Sequence, residues 1–587
     1  IIAALALIAG ILMYRYGKKT REPRLKVQAY GVWLGGGLVM SILFWPALVY
    51  LYTENLWFED VGYANVFWKI LKTRLGLFAK FSLVAFGFMG ANLFVGVRLC
   101  PVSREFARWT RERTVRFYRS LLISIVLVAG LLSVPMMFLW DDFLRYENGV
   151  LTGITEPVFQ KDLSFYLFSL PVYRWVSVWV KVLLWATLLF VGLLYNFYHR
   201  RDPQTMAMVE RRLVFHAAVL WLMLFGVSLW RSQINIWNLL YAARSPWGLG
   251  RVDGMGYIDS HLIRAYQIYM LCVGLIGVVI LINLFWQKRT VWYAAIVMWG
   301  ASYLILIQIY PVALHWTKVR PNPLSAEIPF LKQHIESTRQ AFGLDHIEER
   351  DQIKGAATLE MINRNPEIKE NIQLWDRRVL YEVLRDQQRI EPYYDFNPYT
   401  DVDRYWVGGK YRQVLIAPRE VDAKELKEAR DWVNQKLMYT HGYGVCVVPV
   451  NEFKKENNNP NFWVKGIPVN HTYPEFALTQ PQIYYGELTK DYVIVNTKRE
   501  EIDPAGEQYQ GAHGVKLGGW FRRLCFATRF DFWRVLLSTD VTPECKVLFW
   551  RNIGTRTPDS TKTVTDRISH IAPFLKYDPD PYIVIAD

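Results

Sequence analysis

Cysteine is scarce in this sequence, and the familiar signatures of catalysis are absent. Only five cysteines occur in 587 residues, and no two of them are spaced as C-x-x-C. This gives no support to a structural zinc site or a thioredoxin-like centre. No P-loop, H-E-x-x-H, G-x-S-x-G, EF-hand or C-x-x-C-H motif occurs either. The sequence therefore identifies no cofactor and no catalytic residue.

Acidic residues are few in one half of the chain. Residues 1–310 contain 31 Lys and Arg against 15 Asp and Glu, whereas residues 311–587 contain 37 against 38. The whole basic excess therefore lies in the hydrophobic half, where it is typical of charge that sets membrane topology and faces anionic lipid. Nucleic-acid binding needs a basic face on a folded domain. We predict membrane lipids as partners and no nucleic acid.

Long hydrophobic runs dominate residues 1–310. A spanning helix needs about 20 mostly apolar residues. Seven runs reach this length, and an eighth, shorter run, Ile1–Tyr16, lies at the start of the sequence. We predict a membrane all-α bundle of seven to eight transmembrane helices over residues 1–310. The seven full-length segments are Val27–Tyr52, Leu75–Leu99, Ser120–Trp140, Val176–Tyr198, Leu213–Trp230, Ala265–Trp286 and Val291–Tyr310.

The connectors between these segments alternate in charge. One set holds 19 Lys and Arg, and the other set, although longer and counted with Lys80 and Lys181, holds 12. Short basic loops stay in the cytoplasm. We therefore predict a multi-pass protein of the cell membrane whose residues 311–587 lie on the extracytoplasmic side.

Carboxylates are missing from every predicted span. The polar residues there are Asn92, Lys181, His216, Asn283 and Gln308. Ion-coupled transporters usually keep carboxylates in the membrane, so we predict no proton- or sodium-driven transport through the bundle. His216 is interpreted as a packed, hydrogen-bonded residue rather than a haem or metal ligand, because no span offers a second histidine.

Aromatic residues are concentrated in the first outer connector, Thr53–Trp68. Trp57, Phe58, Tyr63, Phe67 and Trp68 would suit a short helix lying at the membrane interface. The alternative is a slot for a lipid headgroup or a substrate. We favour anchoring at the interface.

Residues 311–587 predict an α+β domain. Arg404–Ile416 alternates around Gly408-Gly409 and predicts a hairpin with a primed turn. Tyr582–Ile585 is strand-like, and we expect the domain to continue beyond Asp587. Cys525 and Cys545 allow a disulfide, although buried free thiols are favoured. The other predicted elements are a helix capped by Ser325 and ended by Gly343, helices at Asp376–Ile390 and Val421–Tyr439, and strands at Val445–Val450, Ile483–Tyr485, Tyr492–Asn496 and Val547–Arg551.

Two weak candidate sites occur in this domain. Asp401 and Asp403 could hold Ca²⁺, but we favour a solvated turn in which Arg404 neutralises them. His441 lies in the Gly-rich stretch Tyr439–Gly444 and could serve an active site, but no nucleophile can be paired with it from sequence. A structural turn is favoured for His441.

Several stretches resemble a known family. They include LWFEDVGYANVFW (Leu56–Trp68), DLSFYLFSLPVY (Asp162–Tyr173), DVDRYWVGGKYRQVLIAPRE (Asp401–Glu420) and IAPFLKYDPDPYIVI (Ile571–Ile585). On these motifs the chain resembles the uncharacterised protein family 0182, multi-pass membrane proteins of bacteria and some archaea. The resemblance implies membrane location and architecture. It implies no activity, so no catalytic residue is carried over.

Three functions remain open. The leading hypothesis is a scaffold or assembly subunit of a cell-envelope complex, acting as an oligomer with itself or with other membrane proteins. It depends on the missing chemistry and on the aromatic outer connector. The alternatives are a lipid-handling or transport protein, which would need a continuous apolar groove, and an extracytoplasmic membrane-anchored enzyme, which would need a pocket with perturbed titratable groups.

Overall fold

The fold is described from a computed structural model, which covers residues 23–99, 110–201, 203–241, 254–286, 288–349, 355–422, 431–553, 567–575, 577 and 581–586. The chain divides by internal contacts into two compact units. The helical unit is Lys69–Gln352, and the mixed unit combines Ile1–Trp68 with Ile353–Asp587. The predicted boundary between residues 310 and 311 concerns the membrane, which this division by contacts does not test.

Long helices make up the first part of the chain. Helix α8 continues through π-helical turns at Leu304–Ile309 and His315–Val319, with the short α9 between them. A π-helical turn at Phe165–Ser169 also leads into α5. The helices are α1 (Pro23–Asp60), α2 (Ala64–Leu99), α3 (Arg111–Met137), α4 (Trp140–Glu147), α5 (Leu170–Arg201), α6 (Pro203–Tyr241), α7 (Tyr257–Trp286), α8 (Arg289–Tyr303), α9 (Tyr310–Leu314) and α10 (Pro323–Ala341).

Six helical stretches are long and apolar enough to cross a membrane, which is compatible with a multi-pass membrane protein. Many of their large apolar side chains are exposed, as at Leu131 (72%) and Phe285 (80%). A helix that is apolar on all sides is typical of a membrane span or a buried core. The six are Ala64–Leu99, Arg111–Met137, Phe165–Tyr198, Arg211–Leu240, Tyr257–Trp286 and Arg289–Val319.

Among the described residues, six candidate spans are found, against the seven to eight spans that the sequence predicts. Ile1–Tyr16 lies outside the described residues. Val27–Tyr52 is helical within α1 but is not among the six. Its C-terminal end packs into the mixed unit, where Trp45 Nε1 donates to Thr528 Oγ1 at 3.3 Å.

The mixed unit is built on antiparallel sheets. The largest has five strands in the order β2-β3-β6-β7-β8, and a second has the order β10-β12-β11. Two small sheets pair β1 with β4 and β5 with β9. The strands are β1 (Tyr394–Asp395), β2 (Asp401–Val407), β3 (Lys410–Pro418), β4 (Glu420–Val421), β5 (Gly442–Tyr443), β6 (Val445–Pro449), β7 (Val464–Lys465), β8 (Asn470–His471), β9 (Gln482–Ile483), β10 (Val493–Val495), β11 (Val515–Lys516) and β12 (Lys546–Leu548).

The predicted hairpin is confirmed. Val407 pairs with Lys410, so that Gly408 and Gly409 alone form the turn. Both glycines have positive φ, +56° and +76°. A two-residue primed turn requires this left-handed conformation, which glycine adopts without a steric penalty.

Short helices complete the mixed unit. The helix predicted at Asp376–Ile390 is confirmed as α13, and Asp376 caps it. The helix predicted at Val421–Tyr439 is wrong at its start, where β4 forms, and residues 423–430 of it lie outside the described residues. The helices are α11 (Leu359–Asn363), α12 (Pro366–Glu370), α13 (Arg377–Gln387), α14 (Trp520–Arg529), α15 (Phe532–Leu537) and α16 (Arg567–Ile571).

Three further predictions are settled locally. The cap of α10 is Asn322 rather than Ser325, because Pro323 already occupies the first helical position and Asn322 Oδ1 accepts from Ser325 N. Residues 581–586 contain no strand, although Ile585 N donates to Tyr405 Oη at 3.0 Å. Cys525 and Cys545 are buried free thiols, as favoured.

Candidate functional site

The aromatic residues predicted for the membrane interface lie in two environments. Trp57, Phe58 and Phe67 are buried in the mixed unit, with exposed fractions of 2%, 4% and 9%. Tyr63 and Trp68 are about half exposed, at 47% and 46%. The first three side chains therefore pack within the protein. Membrane contact stays a prediction for Tyr63 and Trp68.

A buried ion cluster lies beside Trp57. The Glu54 carboxylate accepts from Arg529 Nη2, from Trp550 Nε1 at 3.0 Å and lies 2.6 Å from His570 Nε2. Burial raises the pKa of Glu54, but the hydrogen bond and charge of His570, together with the charge of Arg529, outweigh it and hold the pKa below its usual value. The cluster joins the end of α1 to the rest of the mixed unit.

Asp401 and Asp403 lie in strand β2, so the solvated turn favoured for them is wrong. Asp401 is buried, and Asp403 Oδ1 accepts from Tyr582 Oη at 3.4 Å. Among the residues described, no three His, Cys, Asp or Glu side chains are grouped to hold a metal ion. A Ca²⁺ site at this pair stays a prediction.

His441 lies at the centre of a second buried cluster. Its Nε2 is 3.0 Å from Asp503 Oδ2, and its Nδ1 is 3.5 Å from Glu501 Oε2. The side chains of all three residues have no solvent exposure. Burial lowers the pKa of His441, but hydrogen bonds to Asp503 and Glu501 outweigh it and raise the pKa above its usual value. The imidazole is thus enclosed and doubly paired, and a structural role for His441 stays a prediction.

A cavity of about 580 Å³ lies between α5, α6, α7 and α8 in the helical unit. We call it the cationic cavity, because Lys181 and Arg231 line it and no Asp or Glu does. Its volume is in the range of small-molecule sites. Its other lining residues are Val178, Val182, Trp185, Ser228, Ser232, Asn235, Tyr266, Tyr269, Trp299, Gly300 and Tyr303.

The two cations are held differently. Arg231 Nη1 donates to the carbonyl oxygen of Arg174 at 2.9 Å and to Ser177 Oγ at 3.1 Å, which fixes the guanidinium against α5. Lys181 Nζ has no ion pair and no hydrogen bond within the part of the chain that the structure describes. A charge in an apolar helical bundle is costly unless it is paired. Among the described residues, Lys181 is therefore a cation without a counter-charge.

Three lining residues also reach the outer surface of the unit. Val182, Trp185 and Tyr303 are 43%, 42% and 43% exposed. Their neighbours on the same helices include the exposed apolar residues Leu189 and Leu304. The cavity is thus open beside an apolar surface, and its own lining is also mainly apolar apart from the two cations and a few hydroxyl and amide groups.

A second cavity of about 450 Å³ lies between α2 and α6. It is lined by Arg211, Arg212 and His216 together with apolar residues. His216 Nδ1 lies 2.6 Å from Tyr195 Oη, and its Nε2 lies 3.1 Å from Asn92 Oδ1. The prediction that His216 is packed and hydrogen-bonded is confirmed. Its nitrogens are already occupied within the protein.

Sequence reasoning missed the cationic cavity. It recorded Lys181 as a polar residue of a span and counted its charge with a connector. Arg231 was placed in an outer connector. The signal available was the lysine within an apolar run without any carboxylate in the spans.

Comparison with known proteins gives one consistent result. The sequence model of the Uncharacterised protein family (UPF0182) matches residues 32–587. The UPF0182 protein of Pelotomaculum thermopropionicum is 35% identical over 570 residues, covering 92% of this chain and 59% of the relative. That of Desulforamulus reducens is 33% identical over 595 residues, covering 94% and 60%. The chain thus spans about 60% of the length of these relatives. No solved structure matches.

Proposed function

We propose that this chain, which belongs to the uncharacterised protein family UPF0182, is a multi-pass protein of the cell membrane that binds the anionic headgroup of a lipid in the cationic cavity. The family match confirms the resemblance seen in the sequence. One observation carries the proposal: two cations line a cavity among apolar helices, and no Asp or Glu is among its described lining residues. A phosphate-bearing group would supply the missing charge.

A lipid fits the cavity better than a water-soluble anion. The interior offers Lys181 and Arg231 as donors, with hydroxyl groups of Ser228 and Tyr266 nearby. The sideways opening at Trp185 is bordered by exposed apolar side chains, along which acyl chains would lie. A water-soluble anion has no apolar part that would contact these side chains.

Native mass spectrometry of the purified chain tests the proposal. The probe is dioleoylphosphatidylglycerol, with dioleoylphosphatidylcholine as the zwitterionic comparison. We expect one phosphatidylglycerol to be retained at collision energies that strip phosphatidylcholine. The double variant Lys181→Gln with Arg231→Gln removes both charges but keeps polar side chains, and we expect it to lose that tightly held lipid.

Arg211→Gln with Arg212→Gln is the matched control. It also removes two neighbouring cations from α6, at the second cavity. If the two double variants lose phosphatidylglycerol equally, the attraction is a general effect of net charge, and the proposed site is wrong.

A scaffold role in a cell-envelope complex is the second candidate. The observation that favours it is the enclosure of the polar clusters in the mixed unit, because Glu54 and His441 are 2% and 1% exposed and serve packing rather than catalysis. Mild extraction from native membranes should then yield a stoichiometric partner or a homo-oligomer. Recovery as a monomer without partners would argue against a scaffold.

We also propose that the β-sheets of the mixed unit lie on the extracytoplasmic side. The support is the 19-to-12 bias of basic residues between the two sets of connectors. Asn457→Cys creates a label site in an exposed loop. A membrane-impermeant maleimide should label it in intact cells, and the parent chain controls for native cysteines. Labelling only after lysis would reverse the assignment.

A further inference from the structure

Helices α14 and α15 present a row of exposed apolar side chains, which we call the aromatic face. It consists of Trp520 (75% exposed), Phe521 (46%), Phe532 (40%), Trp533 (67%) and Leu537 (66%). The opposite side of the same helices is buried, through residues such as Phe526 and Val535. Five large, exposed apolar side chains within 18 residues are unusual on a surface that faces water. Exposed apolar clusters of this kind mark interaction sites.

The aromatic face lies beside α1. The ring of Phe521 is 6.3 Å from that of Trp45 and 5.7 Å from that of Tyr52. Arg522 Nε donates to Tyr52 Oη at 3.3 Å. Helix α14 is therefore packed against the C-terminal end of the segment that the sequence predicts as the span Val27–Tyr52.

Helix α1 changes its surroundings at this level. Phe44, Leu48 and Leu51 are 54%, 59% and 37% exposed, whereas Thr53 and Glu54 are buried at 0% and 2%. The exposed apolar surface of α1 thus ends within a few residues of the positions at which α1 contacts α14. A helix that leaves a bilayer and enters a folded domain makes the same change at the headgroup level.

The charge beside the aromatic face favours an anionic surface. Between Trp520 and Leu537 the chain has four arginines and one aspartate, and of these arginines Arg529 is paired with Glu54 inside the fold. Arg534 is exposed, and its Nε is 3.7 Å from Asp531 Oδ2. Tryptophan is enriched where bilayers meet water, and arginine is attracted to anionic headgroups there.

We propose that the aromatic face is seated in the headgroup region of an anionic bilayer, around the point where α1 leaves the membrane. This assigns the interfacial role to Trp520 and Trp533 instead of Trp57 and Phe58. The latter are covered by Phe549 and His570 and have no surface to offer lipid. The proposal does not depend on a lipid in the cationic cavity.

Photo-cross-linking tests the assignment with little disturbance of the fold. The aromatic amino acid p-benzoylphenylalanine is placed, one position at a time, at Trp533 and at Trp520 of the full chain. The chain is reconstituted in nanodiscs of phosphatidylcholine with a minority of phosphatidylglycerol. After irradiation, mass spectrometry of the peptides identifies lipid adducts.

Two positions calibrate the measurement. Trp406 is a matched negative control, because it is 68% exposed, almost the same as Trp533, but lies on strand β2. Leu131, 72% exposed within the candidate span Arg111–Met137, is the positive control. We expect lipid adducts at Trp533 and Trp520 in yields near that at Leu131 and far above that at Trp406.

Two results would overturn the proposal. One is a yield at Trp533 that matches Trp406 while Leu131 is labelled. The other is cross-linking of Trp533 to a second copy of the chain in place of lipid, which would make the aromatic face a protein interface.

Discussion

The two units treat buried charge in opposite ways. In the mixed unit, the Glu54 carboxylate is surrounded by Arg529, His570 and the indole of Trp550. In the helical unit, Lys181 and Arg231 line one cavity that no carboxylate reaches. The mixed unit therefore balances the charge of Glu54 within the fold, whereas the described residues of the helical unit offer no counter-charge to Lys181.

The contrast becomes sharper with the buried arginines of the mixed unit. Arg419 donates to the carbonyl oxygens of Gln388 and Tyr443 at 2.7 and 2.8 Å. Arg551 donates to those of Tyr484 and Thr440 at 2.6 and 2.5 Å. Arg231 of the helical unit does the same with Arg174. Carbonyl oxygens thus hold several enclosed guanidinium groups, whereas Lys181 has no such partner among the described residues.

Removing the central carboxylate of the mixed unit should have the largest effect. Glu54→Ala leaves Arg529 and His570 buried without their counter-charge. Breaking a buried ion pair in this way costs about 3–5 kcal/mol. We expect a clear fall in the thermal midpoint of the purified full chain. Glu59→Ala is the control, since Glu59 is an exposed carboxylate on the same helix. Equal shifts in the two variants would show that the cluster is not structural.

Removing the imidazole of the second cluster should cost less. His441→Leu strips a partner from Glu501 and Asp503, but Tyr484 Oη and the backbone nitrogens of Ala505 and Glu507 still donate to these carboxylates. Unsatisfied buried groups cost about 1–3 kcal/mol. Thermal unfolding should place this variant between Glu54→Ala and the wild type. A loss as large as that of Glu54→Ala would contradict this ranking.

The pH dependence of stability should separate the two clusters. The pKa of His441 is raised in the folded state, so its stabilisation is complete below its unfolded pKa of about 6.5 and is lost as pH rises through the folded value. The pKa of Glu54 is lowered, so its stabilisation is lost only as pH falls through acidic values. Above pH 6.5 the wild type should lose at most about 1.4 kcal/mol per pH unit.

The variant His441→Gln isolates that slope. Gln does not titrate, so thermal midpoints measured above the ordinary pKa of histidine should become flatter with pH. Glu54→Gln should leave the slope above that pH unchanged. If the wild-type stability instead rises across this range, the assignment of a charged His441 is wrong.

The sequence predicts those parts of the fold that depend on local patterns. Six candidate spans are recognised from the sequence. An apolar run long enough to cross a bilayer can be identified without knowing which residues pack against it. The hairpin is recognised because Gly408-Gly409 permits a turn that other residues resist. Helices α14 and α15 are missed, because they are short and mix aromatic with basic residues. Their pattern becomes clear only when α1 and the sheet bury one side.

The sites could not be predicted for a different reason. Trp57 and Trp533 are equally apolar in sequence, yet one is 2% and the other 67% exposed. Which of them is covered depends on residues hundreds of positions away, such as Phe549. Lys181 and Arg231 are 50 residues apart and meet only because α5 and α6 pack side by side. The spacing of residues in the sequence does not indicate that these two cations line the same cavity.

The smallest effect on stability is expected where the charge is left unpaired. Lys181→Met replaces a cation by an apolar side chain of similar length in a bundle of apolar helices. No ion pair or hydrogen bond of Lys181 among the described residues is lost, and the cost of burying its charge is removed. The thermal midpoint in detergent should therefore change by an amount equivalent to less than about 0.5 kcal/mol, or rise. Arg529→Met is the comparison in the mixed unit, where removing the guanidinium leaves the buried Glu54 carboxylate with only His570 and Trp550 as partners and should cost several-fold more. Retention of phosphatidylglycerol should follow the reverse order, lost in Lys181→Met and kept in Arg529→Met. If Lys181→Met destabilised the chain as strongly as Arg529→Met, the lysine would be a structural cation like those of the mixed unit, and the argument for a bound anion would fall.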